Sequence, residues 1–169
     1  MNNRQQQQQP NEVPLPPVLE EQFSIPIFQI IRELKEGRTQ RVSLRTQDGF
    51  YISAVNGGGG LVVANAIKIG RNEIFSLIPQ GANREKVAIQ TSNGYYLSAI
   101  DGGGNRVDAT ATSIGTNELF TLQPVRPDQA NFITAKGYFV LVLTTEPRLV
   151  TAYGVAVGPR TNIRIVPLA

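Results

Sequence analysis

From Val42 onward, apolar and polar residues alternate in short runs broken by Gly and by Asp-Gly or Asn-Gly pairs. A period of two is the mark of half-buried strands. Val42 to Thr46 and Phe50 to Val55 flank the turn dipeptide Asp48-Gly49 and predict a hairpin. The Gly57 to Gly60 run predicts a loop, Leu61 to Ala66 a third strand, and Glu73 to Ile78 a fourth that stops at Pro79. The pattern recurs without a gap 45 residues on, from Val87 to Pro124, with about half of the aligned positions identical. A more divergent third copy follows at a further offset of 43, where Gly137 aligns with Gly94, Val150 with Val107, Ala152 with Ala109 and Pro167 with Pro124.

These three four-strand units (42–79, 87–124 and 130–168) make residues 42–169 one all-β domain. The Gly density and β-branched content exclude helical repeats, and a propeller needs at least about four blades. No unit can bury its apolar face alone, so the three are expected to close around a pseudo-threefold axis. Ahead of them, residues 23–41 read as an amphipathic lead-in. Phe28, Ile31 and Leu34, flanked by Ile27 and Ile30, fall near helical spacing, with Pro26 at the start and Gly37 just past the end. A strand from Phe23 to Ile31 is the alternative. Residues 1–22, polyglutamine followed by Pro10, Pro14, Pro16 and Pro17, predict a disordered or polyproline tail.

The repeats share G-[FY]-Y-[IL]-S-A-x-[ND]-G-G-G, then V-x-A, then I-G-x-N-E-x-F-x-L. The first copy carries it as Gly49 to Gly59, Val62, Ala64, Ile69-Gly70, Asn72-Glu73, Phe75 and Leu77. The second carries Gly94, Tyr96, Ser98-Ala99, Gly102 to Gly104, Val107, Ala109, Ile114-Gly115, Asn117-Glu118, Phe120 and Leu122. This pattern resembles the fascin-like repeat, and the resemblance implies a β-trefoil over about three quarters of the chain. The third copy departs from it. Val140 to Thr144 replace the Leu-Ser-Ala segment and Gly run, and Thr161 stands where the others have Glu. The actin-bundling members resembled carry several trefoils in tandem, so a single trefoil could cross-link filaments only as an oligomer.

The chain has no Cys, His or Trp. That removes Ser-His-Asp and Cys-His catalysis, disulfides and Cys/His metal sites, and no metal or cofactor is expected. It also removes the Gln-x-Trp signature of ricin-type lectin trefoils. A net charge of +3 falls short of a nucleic-acid footprint. No apolar run nears the roughly 20 residues of a membrane span. The first nine residues lack the apolar stretch of a secretory signal; the sequence leaves the compartment unknown, the cytoplasm and a surface or coat layer reached by another route both remaining open.

Glu73 and Glu118 could suggest a glycosidase pair. Pseudo-threefold equivalents lie around an axis and rarely converge within the roughly 5 to 10 Å that such chemistry needs, so both are expected to be structural and no residue is assigned a catalytic role. The Gly57–Gly60 and Gly102–Gly104 runs lack the Lys-Ser/Thr of a phosphate loop and are expected to be turns. In the pairs Phe50/Tyr51 and Tyr95/Tyr96, alternation sends one ring into the core and the other outward. Candidate ligand-binding residues are therefore Tyr51 and Tyr96, with Asn56, Asp101, Arg106 and Asp108 as polar groups near the loops; ordinary loop polarity is the competing reading of each. Arg32, Lys35, Arg38, Arg41 and Arg45, interleaved with Glu33 and Glu36, are expected to form a mixed solvated face. The resulting expectation is a non-catalytic binding or structural module that engages a protein surface, a filament or itself, the last as a homo-oligomer through residues 1–37. A carbohydrate-binding module is the alternative.

Overall fold

The computed structural model describes residues 26–168; the Gln/Pro tail and the first part of the lead-in lie outside these. One helix, α1 (Pro26–Lys35), precedes twelve strands: β1 (Gln40–Thr46), β2 (Tyr51–Ala54), β3 (Val62–Ala66), β4 (Phe75–Gln80), β5 (Lys86–Thr91), β6 (Tyr96–Ala99), β7 (Val107–Ala111), β8 (Phe120–Arg126), β9 (Gln129–Thr134), β10 (Phe139–Val142), β11 (Val150–Gly154) and β12 (Ile163–Pro167). The second strand of the first two copies ends one residue short of the expected Val55 or Ile100. There Asn56 and Asp101 turn left-handed, each with φ of 61°, into short 3-10 turns.

Six strands close a ring. β1 pairs with β4, β4 with β5, β5 with β8, β8 with β9, β9 with β12 and β12 with β1, all antiparallel. The hairpins β2–β3, β6–β7 and β10–β11 stand on one end of this barrel and meet through three equivalent bridges, Leu61 to Asp108, Arg106 to Thr151 and Leu149 to Val63. A six-stranded barrel capped by three hairpins in threefold repetition is a β-trefoil.

The core repeats with the same symmetry. Val62, Val107 and Val150 form one set of buried equivalents, and Ala64, Ala109 and Ala152 another. The divergent third copy conserves volume by exchange. Phe132 on β9 stands where the other copies have Leu44 and Ile89, while Ile163 on β12 replaces Phe75 and Phe120. Side-chain bulk has moved between neighbouring strands within one packed layer, which a close-packed interior tolerates.

Helix α1 crosses the opposite end of the barrel. Its Ile27 N–H donates to Pro127 O in the β8–β9 turn at 3.3 Å, and Arg84 of the β4–β5 turn donates to Lys35 O at 3.2 Å. Ile27, Ile30 and Leu34 are buried in the common core and Ile31 packs against it, whereas Phe28 is 61% exposed. The lead-in is thus helical, with its buried stripe rotated by one position from the Phe28–Ile31–Leu34 reading. Gly37 N–H to Leu34 O (2.9 Å) and Arg38 N–H to Glu33 O (2.9 Å) close the helix in a Schellman arrangement. The Arg38 side chain also pairs with Glu33 and Glu36, so the basic cluster is mixed in sign at this point. No helix among the described residues is long and apolar enough to cross a membrane.

Candidate binding site

Each copy meets the next along a seam, and the glycine runs are what allow the approach. Gly58 lies against Thr91 and Tyr95 of the second copy, where an added Cβ would sit 2.5 Å from Thr91 Oγ1 and 2.7 Å from Tyr95 Cδ2. Gly103 lies equally close under Tyr138 of the third copy. Backbone bonds lock these seams. Gly59 N–H donates to Ala109 O (2.7 Å) and receives the return bond through Ala109 N–H to Gly60 O (2.9 Å); Gly104 N–H donates to Ala152 O (2.8 Å), with Ala152 N–H to Asn105 O (2.7 Å) in return. The turn residue of the following copy caps each loop, Asn93 on the Asn56 carbonyl and Lys136 on the Asp101 carbonyl, both at 2.8 Å.

The third seam, between repeats 3 and 1, is built differently. Pro147 occupies the position of Gly59 and Gly104 and has no N–H to give. The buried side chain of Arg148 takes over. Its Nε donates to Ala64 O at 2.7 Å, Nη2 contacts both Asp48 oxygens at 2.9 Å, and the guanidinium lies 4.4 Å from the Phe50 ring centroid. A hydrogen bond from the Thr46 hydroxyl (2.6 Å), reinforced by Arg148, holds the Asp48 carboxyl below its ordinary range.

Beside this clasp opens a cavity of about 360 Å³. Val142, Pro159 and Ile163 supply apolar surface, and Thr46, Gln47, Asp48, Thr144, Arg148, Arg160 and Asn162 supply hydroxyl, amide, carboxylate and guanidinium groups. Asn162 Oδ1 is buried without a hydrogen-bond partner among the described residues. The corresponding seam between repeats 1 and 2 holds a wider, more open cavity of about 730 Å³ lined by Arg41, Arg71, Gln90 and Thr91 among others.

The six candidate residues do not converge on either cavity. Tyr51 is half-buried under the Arg45 guanidinium, 5.2 Å from its ring centroid. Tyr96 pairs with Gln90 and Ala111 within the second hairpin unit. Neither Phe50 nor Tyr95 enters the core; all four rings of the two pairs are half-buried, because the inward positions belong to Ile52 and Leu97. Asn56 and Asp101 are exposed and use their carbonyls in seam caps. Asp108 is buried on β7, accepting from Thr110 at 2.8 Å with Arg106 at 3.7 Å.

Glu73 and Glu118 are buried and fully engaged. Glu73 accepts from Gly70 N–H at 2.8 Å and from the Ser53 hydroxyl; Glu118 accepts from Gly115 N–H at 2.7 Å and Ser98 at 2.6 Å. Arg148, Arg160, Asp48 and Asn162 had no place among the sequence candidates. Their signal was the third copy's departure from the pattern, with Pro-Arg at 147–148 opposite an acidic turn residue.

No protein-family model and no curated protein matches this sequence. Solved structures do match its fold. A designed threefold-symmetric protein, ThreeFoil, superposes with a TM-score of 0.67 at 18% identity, over 76% of this chain and 99% of that one. An exo-β-1,3-galactanase from Clostridium thermocellum gives 0.65 at 15% identity, over 76% of this chain and 30% of the enzyme. A Polyporus squamosus lectin, bound to a sialylated epitope, gives 0.64 at 11% identity, over 75% of this chain and 48% of the lectin. The chain is a β-trefoil protein, and these likenesses carry the fold alone. It spans under half of the lectin and under a third of the galactanase.

Proposed function

We propose that this β-trefoil is a non-catalytic binding module of the fascin-like kind and that its ligand is a carbohydrate held in the seam between repeats 3 and 1. The observation that carries the reading is the composition of that cavity: apolar surface from Val142, Pro159 and Ile163 beneath a rim of hydroxyl, amide and charged groups. Sugars present the same mixture of C–H faces and hydroxyls, and small-ligand sites combine apolar walls with a few placed polar groups. The presence of a lectin among the structural neighbours is consistent with it. The engagement of Glu73 and Glu118 in hydrogen bonds supports a module that binds without reacting. A glycan array with the full chain tests the reading, using Gln47→Trp to fill the cavity and Tyr96→Ala as a control. Binding lost in the first variant and kept in the second supports the seam; a blank array rejects the glycan.

Self-association is the second reading, favoured by Phe28 standing exposed on α1 beside a cavity of about 400 Å³ lined by Ile31, Leu34, Val87, Leu122 and Pro124. It predicts a mass above the monomer in light scattering that Phe28→Ser abolishes. A monomer at all concentrations rejects it. Filament cross-linking by a single trefoil would require this oligomer.

A further inference from the structure

We infer that the cavity between repeats 3 and 1 selects an acidic sugar, with Arg160 receiving the carboxylate; this rests on the glycan reading above. Three charged side chains line the cavity. Arg148 and Asp48 are spent on one another and on the Ala64 carbonyl. Arg160 differs. It is exposed, its main-chain carbonyl accepts from Val142 N–H at 3.1 Å, and no group among the described residues bonds its guanidinium. The cavity therefore carries one uncompensated positive charge, on a planar fork suited to a carboxylate.

A bare anion would not satisfy the rest of the wall. Asn162 Oδ1 is a buried acceptor without a partner among the described residues, and such groups are rare in folded proteins. A hydroxyl donor brought to this wall would complete it, as a sugar provides and a bare carboxylate does not. The apolar surface of Val142, Pro159 and Ile163 suits the C–H face of a pyranose. About 360 Å³ lies near the lower end of the roughly 300 to 1,000 Å³ range of small-molecule sites, room for one ring and its substituents. In the equivalent seam between repeats 1 and 2 the Arg71 fork is engaged at the turn, Nη2 donating to Asn93 Oδ1 at 2.7 Å. Of these two seams, the one between repeats 3 and 1 holds the unengaged fork, and selectivity for acid is assigned to it.

Titration calorimetry on the full chain tests it with matched pairs: methyl β-D-glucuronide against methyl β-D-glucoside, and sialyllactose against lactose. At least one acidic probe is expected to bind about tenfold or more tightly than its neutral partner at low salt, with the preference shrinking as ionic strength rises. Arg160→Gln should erase the preference, and its unchanged circular dichroism would confirm the fold. Equal affinity for acidic and neutral probes overturns the inference while the glycan reading stands. A preference that survives Arg160→Gln overturns the assignment to this residue. No binding of any sugar, on the array or in the calorimeter, removes the glycan reading itself.

Discussion

Arg148 Nε donates to the Ala64 carbonyl at 2.7 Å, serving with a side chain the acceptor position that Gly59 and Gly104 serve with backbone N–H groups at Ala109 and Ala152. One guanidinium thus substitutes for a missing amide, pins the Asp48 turn and covers the Phe50 ring. The third copy has kept the closure of the trefoil while changing the chemistry that makes it.

Removal of this side chain leaves a carbonyl near the trefoil axis without its donor. Arg148→Ala should lower stability by about 1.5–3 kcal/mol, the range for a hydrogen bond to a charged group. Arg148→Lys should recover little of that, since a single ammonium cannot reproduce the fork. The double variant Pro147→Gly with Arg148→Asn rebuilds the Gly104-Asn105 arrangement of the second copy and should regain at least part of the loss. Urea denaturation of the three variants decides this; a double variant no better than Arg148→Ala would show that the amide is not what the arginine replaces.

The Asp48 carboxyl adds a pH dependence whose sign follows from its lowered pKa. In the unfolded chain it takes up a proton near its ordinary value of 3.8, while the native form resists, held chiefly by the Thr46 hydroxyl and then by Arg148. Between those two values the unfolded chain binds more protons, so the stabilisation is complete above about pH 5 and is lost as pH falls through the native value. Asp48→Asn should therefore be less stable than the parent at neutral pH, with the gap closing in acid. Denaturation midpoints at about pH 7 and about pH 3 would reveal it, and a gap of constant size would refute it.

The repeat made most of this architecture legible. Strand order, the hairpin turns and the threefold closure follow from the 45- and 43-residue offsets and the alternation within each copy. Couplings between positions far apart in the chain were not legible. Two departures of the third copy, Leu141 for Ser and Thr161 for Glu, are one event in space, because Ser53 donates to Glu73 and Ser98 to Glu118. With Leu141 unable to donate, Thr161 turns its hydroxyl to Asn131 Oδ1 at 2.9 Å. The seam cavity was hidden for the same reason. Thr46 and Asp48 from the first copy meet Thr144, Arg148 and Arg160 from the third across roughly 100 residues of chain, and no local pattern records that meeting. The helix face was off by one position since Phe28 and Ile27 are both apolar neighbours, and periodicity over ten residues does not discriminate between them.

The tetraglycine run offers an internal control. Gly58, with φ of 127° and the Tyr95 ring against it, has no room for a methyl group, while Gly60 has nothing within 4 Å of an added Cβ. Gly58→Ala should cost about 2 kcal/mol or more through strain and overlap, and Gly60→Ala should lie within about 0.5 kcal/mol of the parent. Thermal unfolding of both variants tests whether the run is a packing surface or only a flexible loop. Equal effects would favour the latter.

The role of α1 separates on two faces of one helix. Ile30 is buried in the core shared with the barrel strands, whereas Phe28 is 61% exposed. If the helix seals the open end of the barrel, Ile30→Ala leaves a cavity in the common core and should lower stability by about 2–4 kcal/mol, with a single cooperative transition retained because helix and barrel share one core. Phe28→Ser, at a ring that is mostly exposed, should change stability by about 1 kcal/mol or less. A barrel that unfolds at the parent midpoint in Ile30→Ala, with only helical signal lost, would make α1 a docked appendage. A loss in Phe28→Ser as large as that in Ile30→Ala would instead place that ring in a contact made between copies, since within one chain most of it is exposed.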